Sequence, residues 1–275
     1  MKQFDYLSIL GPTGSGKTEL AIALAKIFPI EVISVDSVSV YQRLDIGSAK
    51  PTRKEMDGVV HHLINCETLD HIYTVGRFVE DANHLVGDIK SRGNIPLFCG
   101  GTMMYMRAFQ NGYAGLPVIS EGVLSKVDDI YKQGGVGAIY EMLKQKDPVM
   151  ASKISSRDQQ RIHRSLSVIL ETGKSLSDYW QQGTCPYKGH DILLMVENRT
   201  AHREKIAGRI DKMLALGLQQ ECEDVLADYG IKIQSHPAMK SIGYKEMVSY
   251  ICGTMAITDV RDRSIISSAQ YVKRQ

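Results

Sequence analysis

Gly11-Pro-Thr-Gly-Ser-Gly16-Lys17-Thr18 decides how this chain is read, because it satisfies G-x-x-x-x-G-K-[ST] in the context that pattern requires. Ahead of it, Phe4 to Leu10 is a short apolar run that reads as a strand; behind it, Leu20, Leu24 and Ile27 fall on one helical face. Strand, glycine loop and helix make an anion site, since backbone amides opening a helix point at phosphate oxygens. Gly11, Thr13, Gly14, Ser15 and Gly16 supply those amides, Lys17 would neutralise the terminal phosphate, and the Thr18 hydroxyl would hold a Mg²⁺ bridging phosphate oxygens. The motif specifies a polyphosphate and not its fate. Taken alone it suggests ATP.

Working outward, Glu31 to Asp36 is a second strand-like run and Asn94 to Phe98 a third. Between them Val75, Phe78, Ala82, Leu85 and Ile89 repeat at helical spacing, with Thr74 as the expected N-cap. Strands alternating with helices imply a parallel sheet with right-handed crossovers, whose ligands lie outside the carboxyl ends of the strands. From Gly115 to Tyr187 the strand signal fades into helices broken at Gly134-Gly135, Asp147-Pro148, Gly173 and Gly183; Asp191 to Val196 then restores a strand, and helical patterns follow. The expected fold is therefore α/β: a P-loop NTPase-like parallel sheet flanked by helices. Its core comprises residues 1–114 and 190–275, and a helical insertion domain spans 115–189.

Composition sets the outer bounds. The chain has 275 residues, 43% hydrophobic and 23% charged, which is ordinary for a globular protein with a proper core and excludes disordered and fibrous classes. No apolar stretch approaches membrane-spanning length, and with the loop opening at Gly11 no signal or transit peptide is expected. Cysteines 66, 99, 185, 222 and 252 show no C-x-x-C pair, which points to a reduced cytoplasmic setting without structural zinc. A net charge of +2 is too small to announce a nucleic-acid binder, so any RNA contact must come from local clusters.

Two further motifs stand at the expected strand ends. Asp36-Ser37 places a carboxylate near the phosphate loop, where spacing alone allows either a Mg²⁺ partner or a general base. Gly100-Gly101-Thr102 closes the third strand; its glycines permit close backbone approach and its hydroxyl can donate to a phosphate or leaving-group oxygen.

The ordered set of motifs goes further. Gly11 to Thr18 is followed by Asp36-Ser-Val-Ser-Val-Tyr41, Leu44-Asp-Ile-Gly-Ser-Ala-Lys-Pro51, His61-His-Leu-Ile64 and Gly100-Gly-Thr102. Asp158-x-Gln160-Arg161-Ile162-x-Arg164, Thr172-Gly173-Lys174, Arg209-x-Asp211-x-Met213-Leu214 and Ile242-Gly243-Tyr244 continue the series over nearly the whole chain. This pattern resembles the tRNA dimethylallyltransferase family, also called tRNA isopentenyltransferase. It departs from the family at Gln42-Arg43, Ser48, Ser155 to Arg157 and Lys205.

The resemblance implies transfer of a dimethylallyl group from dimethylallyl diphosphate to N6 of adenosine 37 in the anticodon loop of tRNA, by a cytoplasmic monomer. It makes Asp36 the base and Thr102 its catalytic neighbour, and brings Arg209 to the diphosphate. Contact with tRNA falls to Asp36, Ser37, Val38, Ser39 and Thr102, and to Gln160, Arg161, Ile162, His163 and Arg164. Arg157, Arg161 and Arg164 read as one helical face, with Ile162, Leu166 and Ile169 on another. Lys50, Arg53 and Lys54, or Arg261, Arg263, Lys273 and Arg274, are further candidates for RNA phosphates. Two other activities use the same loop: an isopentenyltransferase acting on free adenine nucleotides, and an ATP-dependent kinase.

Overall fold

A computed structural model describes residues 4–113, 115–180, 184–273 and 275. Gly183, Arg274 and Ala114 at the expected domain boundary lie outside the described residues. The chain forms two compact units: Met1–Arg107 with Tyr187–Gln275, and Ala108–Pro186. The helical unit thus opens before the 115–189 read from the glycines. Its first boundary falls inside a helix, where no glycine marks it, and residues 187–189 lead directly into a strand of the sheet.

The first unit is built on five parallel strands, β1 (Tyr6–Leu10), β2 (Ile30–Val35), β3 (His61–His62), β4 (Ile95–Gly100) and β5 (Gly189–Leu193), in the order β3-β2-β4-β1-β5. Three helices lie between them in sequence: α1 (Lys17–Ala25), α2 (Arg53–Met56) and α3 (Val75–Ser91); α4 (Met103–Asn111) follows β4. β2 is buried along its whole length, as a strand covered on both faces must be. Ile9, Ala21, Ile30, Val32, Leu97 and Cys99 form the core on one face, with Leu20 and Leu24 packed against them. Ile27, expected on that face, is exposed because α1 ends at Ala25.

α3 begins at the expected cap: the Thr74 hydroxyl accepts from the amide of Arg77 at 3.2 Å. Phe78, Val79, Ala82, Val86 and Ile89 are its buried stripe. Val79 and Val86 stand in the stripe in place of the expected Val75 and Leu85, which are half-buried. The edge strand β5 also differs from expectation. The apolar run Asp191 to Val196 suggested a later strand, but the register pairs Tyr6 with Gly189 through Leu10 with Leu193, leaving Leu193 and Met195 exposed. Parallel pairing to β1, and not hydrophobicity, fixes where it starts.

Away from the strand ends, the buried Glu31 carboxylate accepts from Arg92, Asn94 and His62. The Arg92 guanidinium in particular holds its carboxyl down to about 2. After β5, α9 (Arg199–Ala215), α10 (Leu218–Tyr229), α11 (Tyr244–Ile251) and α12 (Ile257–Val272) complete the unit.

The second unit is helical throughout: α5 (Glu121–Lys146), α6 (Pro148–Lys153), α7 (Gln159–Thr172) and α8 (Leu176–Trp180). α5 kinks at Gly135, and α7 stops at Gly173, which takes φ 72°. Buried Asp147 ends α5 and caps α6 by accepting from the amide of Met150 and the hydroxyl of Ser177. Val127, Ile139, Leu143, Ile162, Leu166 and Ile169 form its core. Among the described residues no helix is long and apolar enough to cross a membrane.

Candidate active site

The phosphate loop leaves β1 and enters α1 through Gly16, whose φ of 88° suits glycine. β4 lies between β1 and β2, so the loop, Asp36 after β2 and Thr102 after β4 converge at neighbouring carboxyl ends. The spacing is enforced by backbone: a Cβ on Gly100 would lie 2.2 Å from the carbonyl oxygen of Val35. The Thr102 amide then donates to that same carbonyl at 3.0 Å.

Asp36 and Thr102 are joined through Ser37. The Ser37 amide donates to Thr102 Oγ1 at 3.1 Å, while Asp36 Oδ1 accepts from the amides of Val38 and Ser39 at 2.8 and 2.9 Å. Two amides on one carboxylate oxygen form a local Asx-type turn and fix the side chain. Ser39 is buried, whereas Ser37 and Val38 are half-buried.

Lys17 Nζ donates to the carbonyls of Gly11 and Pro12 at 2.8 and 2.7 Å, folding the ammonium over the loop. Burial pushes its amine down to about 8, opposed by Cys99 and reinforced by the nearby Arg209 cation. Cys99 is itself pushed up to about 12 by burial. Arg209 is also lowered by burial, with Asp36 and Glu19 acting the other way, which puts the guanidinium within the field of the same charges. Ser15 Oγ is buried and, among the described residues, has no hydrogen-bond partner, an unspent donor on the loop.

Residues that the sequence reading did not single out complete this site. α9 presents His202, Ile206 and Arg209 at i, i+4 and i+7, one face of a helix. Buried His202 donates from Nε2 to the carbonyl of Thr13 at 2.9 Å, and Ile206 approaches Gly14. Extending the face of Arg209 back two turns would have found His202. The Gln275 side chain accepts from the Thr13 amide at 2.9 Å and donates to the Gly101 carbonyl at 2.7 Å. The Tyr271 hydroxyl, raised by burial and by Asp36, donates to that carbonyl at 3.4 Å. Nothing in the local sequence signals these contacts, which are tertiary.

His202→Leu removes the tether at nearly constant volume. The expected result is a Kd for inorganic pyrophosphate raised about 2- to 10-fold, the worth of one hydrogen bond. Calorimetry checks it, and an unchanged Kd rules the tether out.

The second group of site residues belongs to the helical unit. Gln160, Arg161 and Arg164 are exposed on α7, and His163 Nε2 meets Asp128 at 2.9 Å. Arg161 is paired with Asp158, the N-cap of α7. Two expectations change. The Ile162 side chain is fully buried in the core, so it packs and does not face RNA. Arg157 precedes the cap of α7 and therefore does not continue the helical face of Arg161 and Arg164. In the first unit, Lys50 also leaves the set of phosphate candidates. It is buried, and its ammonium donates to the Tyr41 carbonyl, Asp45 and Asn65. Arg261 is paired with Asp211 and Asp262.

Comparison with known proteins gives the family. The family model described as IPP transferase matches residues 39–275. The tRNA dimethylallyltransferase of Hydrogenovibrio crunogenus is 40% identical over 273 residues, 98% of this chain and 84% of that protein. That of Nitrosomonas eutropha is 37% identical over 270 residues, 97% of this chain and 85% of the relative. Among solved structures, the full-length tRNA isopentenylpyrophosphate transferase of Bacillus halodurans is similar with a TM-score of 0.70 and 33% identity, covering 99% of this chain and 86% of that one. A eukaryotic dimethylallyltransferase described as acting on tRNA gives a TM-score of 0.79 at 27% identity, covering 98% of this chain and 68% of that one. With a family model matching most of its length and relatives 37–40% identical over nearly all of it, the chain belongs to the IPP transferase family, the tRNA dimethylallyltransferases.

Proposed function

We propose that this enzyme transfers the dimethylallyl group of dimethylallyl diphosphate to N6 of adenosine 37 in the anticodon loop of tRNA. The observation that carries the reading is the junction of Asp36, Ser37 and Thr102 beside the phosphate loop, which sets a carboxylate and a hydroxyl next to a diphosphate cradle. An ATP-dependent kinase would need the loop and a metal-side carboxylate only.

The diphosphate lies on the loop amides from Gly14 to Thr18, with Lys17 and Arg209 as cations and Ser15 Oγ as a further donor. As the allylic C–O bond breaks, its electron pair passes to the diphosphate oxygen. Lys17 then leaves its two carbonyl partners for the phosphate, where its charge stabilises the departing anion more than the bound ester. The N6 nitrogen forms the new bond to the allylic carbon, and its proton goes to Asp36. With Oδ1 held by two amides, Oδ2 is the atom that receives it. Thr102 Oγ1 already accepts from Ser37, so its own proton is directed to the leaving group or the adenine.

The residues suit Mg²⁺, which favours hard oxygens and takes few of them from the protein. Among the described residues no cluster of three or more His, Cys, Asp or Glu side chains is placed to cage a metal. Thr18 would hold the ion together with the substrate's own phosphate oxygens, and the bound ion would neutralise charge on the diphosphate. The acceptor adenine must be unstacked to reach Asp36. Ser37 to Ser39 in this unit, and Gln160, Arg161, His163 and Arg164 on α7, are the groups assigned to tRNA, and the enzyme acts in the cytoplasm as a monomer.

The test is incubation of the protein and Mg²⁺ with labelled dimethylallyl diphosphate and either unmodified tRNA or AMP, with ATP turnover followed in parallel. Label in tRNA alone is expected. Label only in AMP, or ATP hydrolysis without label transfer, overturns the assignment.

A further inference from the structure

Residues 36–52 connect β2 to α2 without regular secondary structure, and Asp36 to Ser39 occupy the first quarter of that segment. Connections this long, when ordered, are held by specific contacts. This one also carries backbone cost: Arg43 and Ala49 take φ of 69° and 47°, a region side chains disfavour.

One carboxylate gathers the middle of the segment. Glu221, in the first turn of α10, accepts from the amides of Asp45 and Ile46 on Oε2, both at 2.8 Å. Its Oε1 accepts from the amide of Gly47 at 3.1 Å and from the Tyr244 hydroxyl at 2.5 Å. Three consecutive amides converging on an anion form a nest, and bonds to an ionised acceptor are about twice as strong as neutral ones. Burial, with the Glu221 carboxylate beside it, holds the Tyr244 phenol well above its ordinary range, so the hydroxyl stays a donor. The fit leaves no slack, because a Cβ on Gly47 would lie 2.5 Å from the Tyr244 ring.

The clamp reaches Asp36 through the loop itself. Lys50 ties the carbonyl of Tyr41 to Asp45, and the Tyr41 amide donates to the carbonyl of Val38. Val38 in turn donates to Asp36. The phosphate loop is tied instead to α9 through His202 and does not share these bonds.

We infer that Glu221, seated in the amides of Asp45, Ile46 and Gly47 and braced by Tyr244, is a positioning residue for the acceptor side of the reaction: it sets where Asp36 meets the adenine without touching the diphosphate. The inference rests on the proposed function for its reading in turnover, and on loop geometry for the rest. A carboxamide at 221 keeps the shape but offers a single acceptor oxygen.

The full chain carrying Glu221→Gln is therefore compared with wild type in three measurements. With Mg²⁺ and labelled dimethylallyl diphosphate, kcat/KM for tRNA is expected to fall about 10- to 100-fold, the scale of a misplaced catalytic group. The Kd for dimethylallyl diphosphate stays within about twofold, since the phosphate loop keeps its own anchors. Amide hydrogen exchange at residues 45–47 speeds up, and Tyr244→Phe moves turnover and exchange in the same direction by less. Diphosphate binding and acceptor turnover falling together in proportion to the folded fraction would show a purely structural role and overturn the inference. So would wild-type kinetics in Glu221→Gln. Should wild-type protein fail to prenylate tRNA, the proposed function falls, and exchange at 45–47 alone decides the clamp, unchanged rates overturning it.

Discussion

Asp36→Asn is expected to bind dimethylallyl diphosphate as wild type does and to lose transfer to tRNA by a factor of about 10² to 10⁴, the usual worth of a positioned base. The substitution is chosen for what it spares. Asparagine keeps an oxygen that accepts from the amides of Val38 and Ser39, so the turn that fixes residue 36 survives. Ser37 still donates to Thr102, and the junction of the two strand ends keeps its shape. Only the capacity to take the N6 proton disappears. Single-turnover transfer with preformed enzyme–diphosphate complex isolates that step, and calorimetry verifies that binding is intact. Near-normal transfer in this variant would remove Asp36 from the role of base and return it to the metal side of the phosphate loop.

Lys17→Met is expected to cost about 10² to 10³ in kcat/KM, comparable to deleting one preorganised donor to a developing anion, and to weaken diphosphate binding as well. The pH dependence identifies the group. Burial lowers the amine of the free enzyme to about 8, so its ammonium is lost as pH rises through that value. A bound diphosphate favours the charged form, hence affinity falls above about pH 8 and binding there draws a proton from solvent. Titrations in buffers of different ionisation enthalpy measure that proton. In Lys17→Met it should vanish, and proton uptake persisting in the variant would assign it elsewhere. The same shift acts on stability with a definite sign. The unfolded chain holds a proton that the folded chain releases between about 8 and 10.5, so burying this group opposes folding below about pH 8 and that penalty fades as pH rises toward 10.5.

The parts legible in the sequence are those whose chemistry is local. The glycine loop, the Thr74 cap and the placement of Asp36 and Thr102 at strand ends follow from short-range rules, and the structure sets them where those rules put them. The family, too, was legible, because its motifs are strung in order along the chain. Contacts closing across 100 residues or more were not: His202 on Thr13 and Glu221 under residues 45–47 join segments that carry no mutual signal. Charge was misread where burial decides. Lys50 looked like a surface cation, yet it is an internal tie. Ile162, within a stretch assigned to RNA, points into the helical core because the period of α7 turns it there.

Gly100 carries a consequence for how this enzyme can change over time. With β2's backbone where a methyl group would go, every first mutational step away from glycine there collides with main chain, which cannot drift aside as a side chain can. The interval between the strands that lead to Asp36 and Thr102 is thus set by main chain against main chain. A side chain at position 100 could be admitted only by moving one strand's main chain away from the other's.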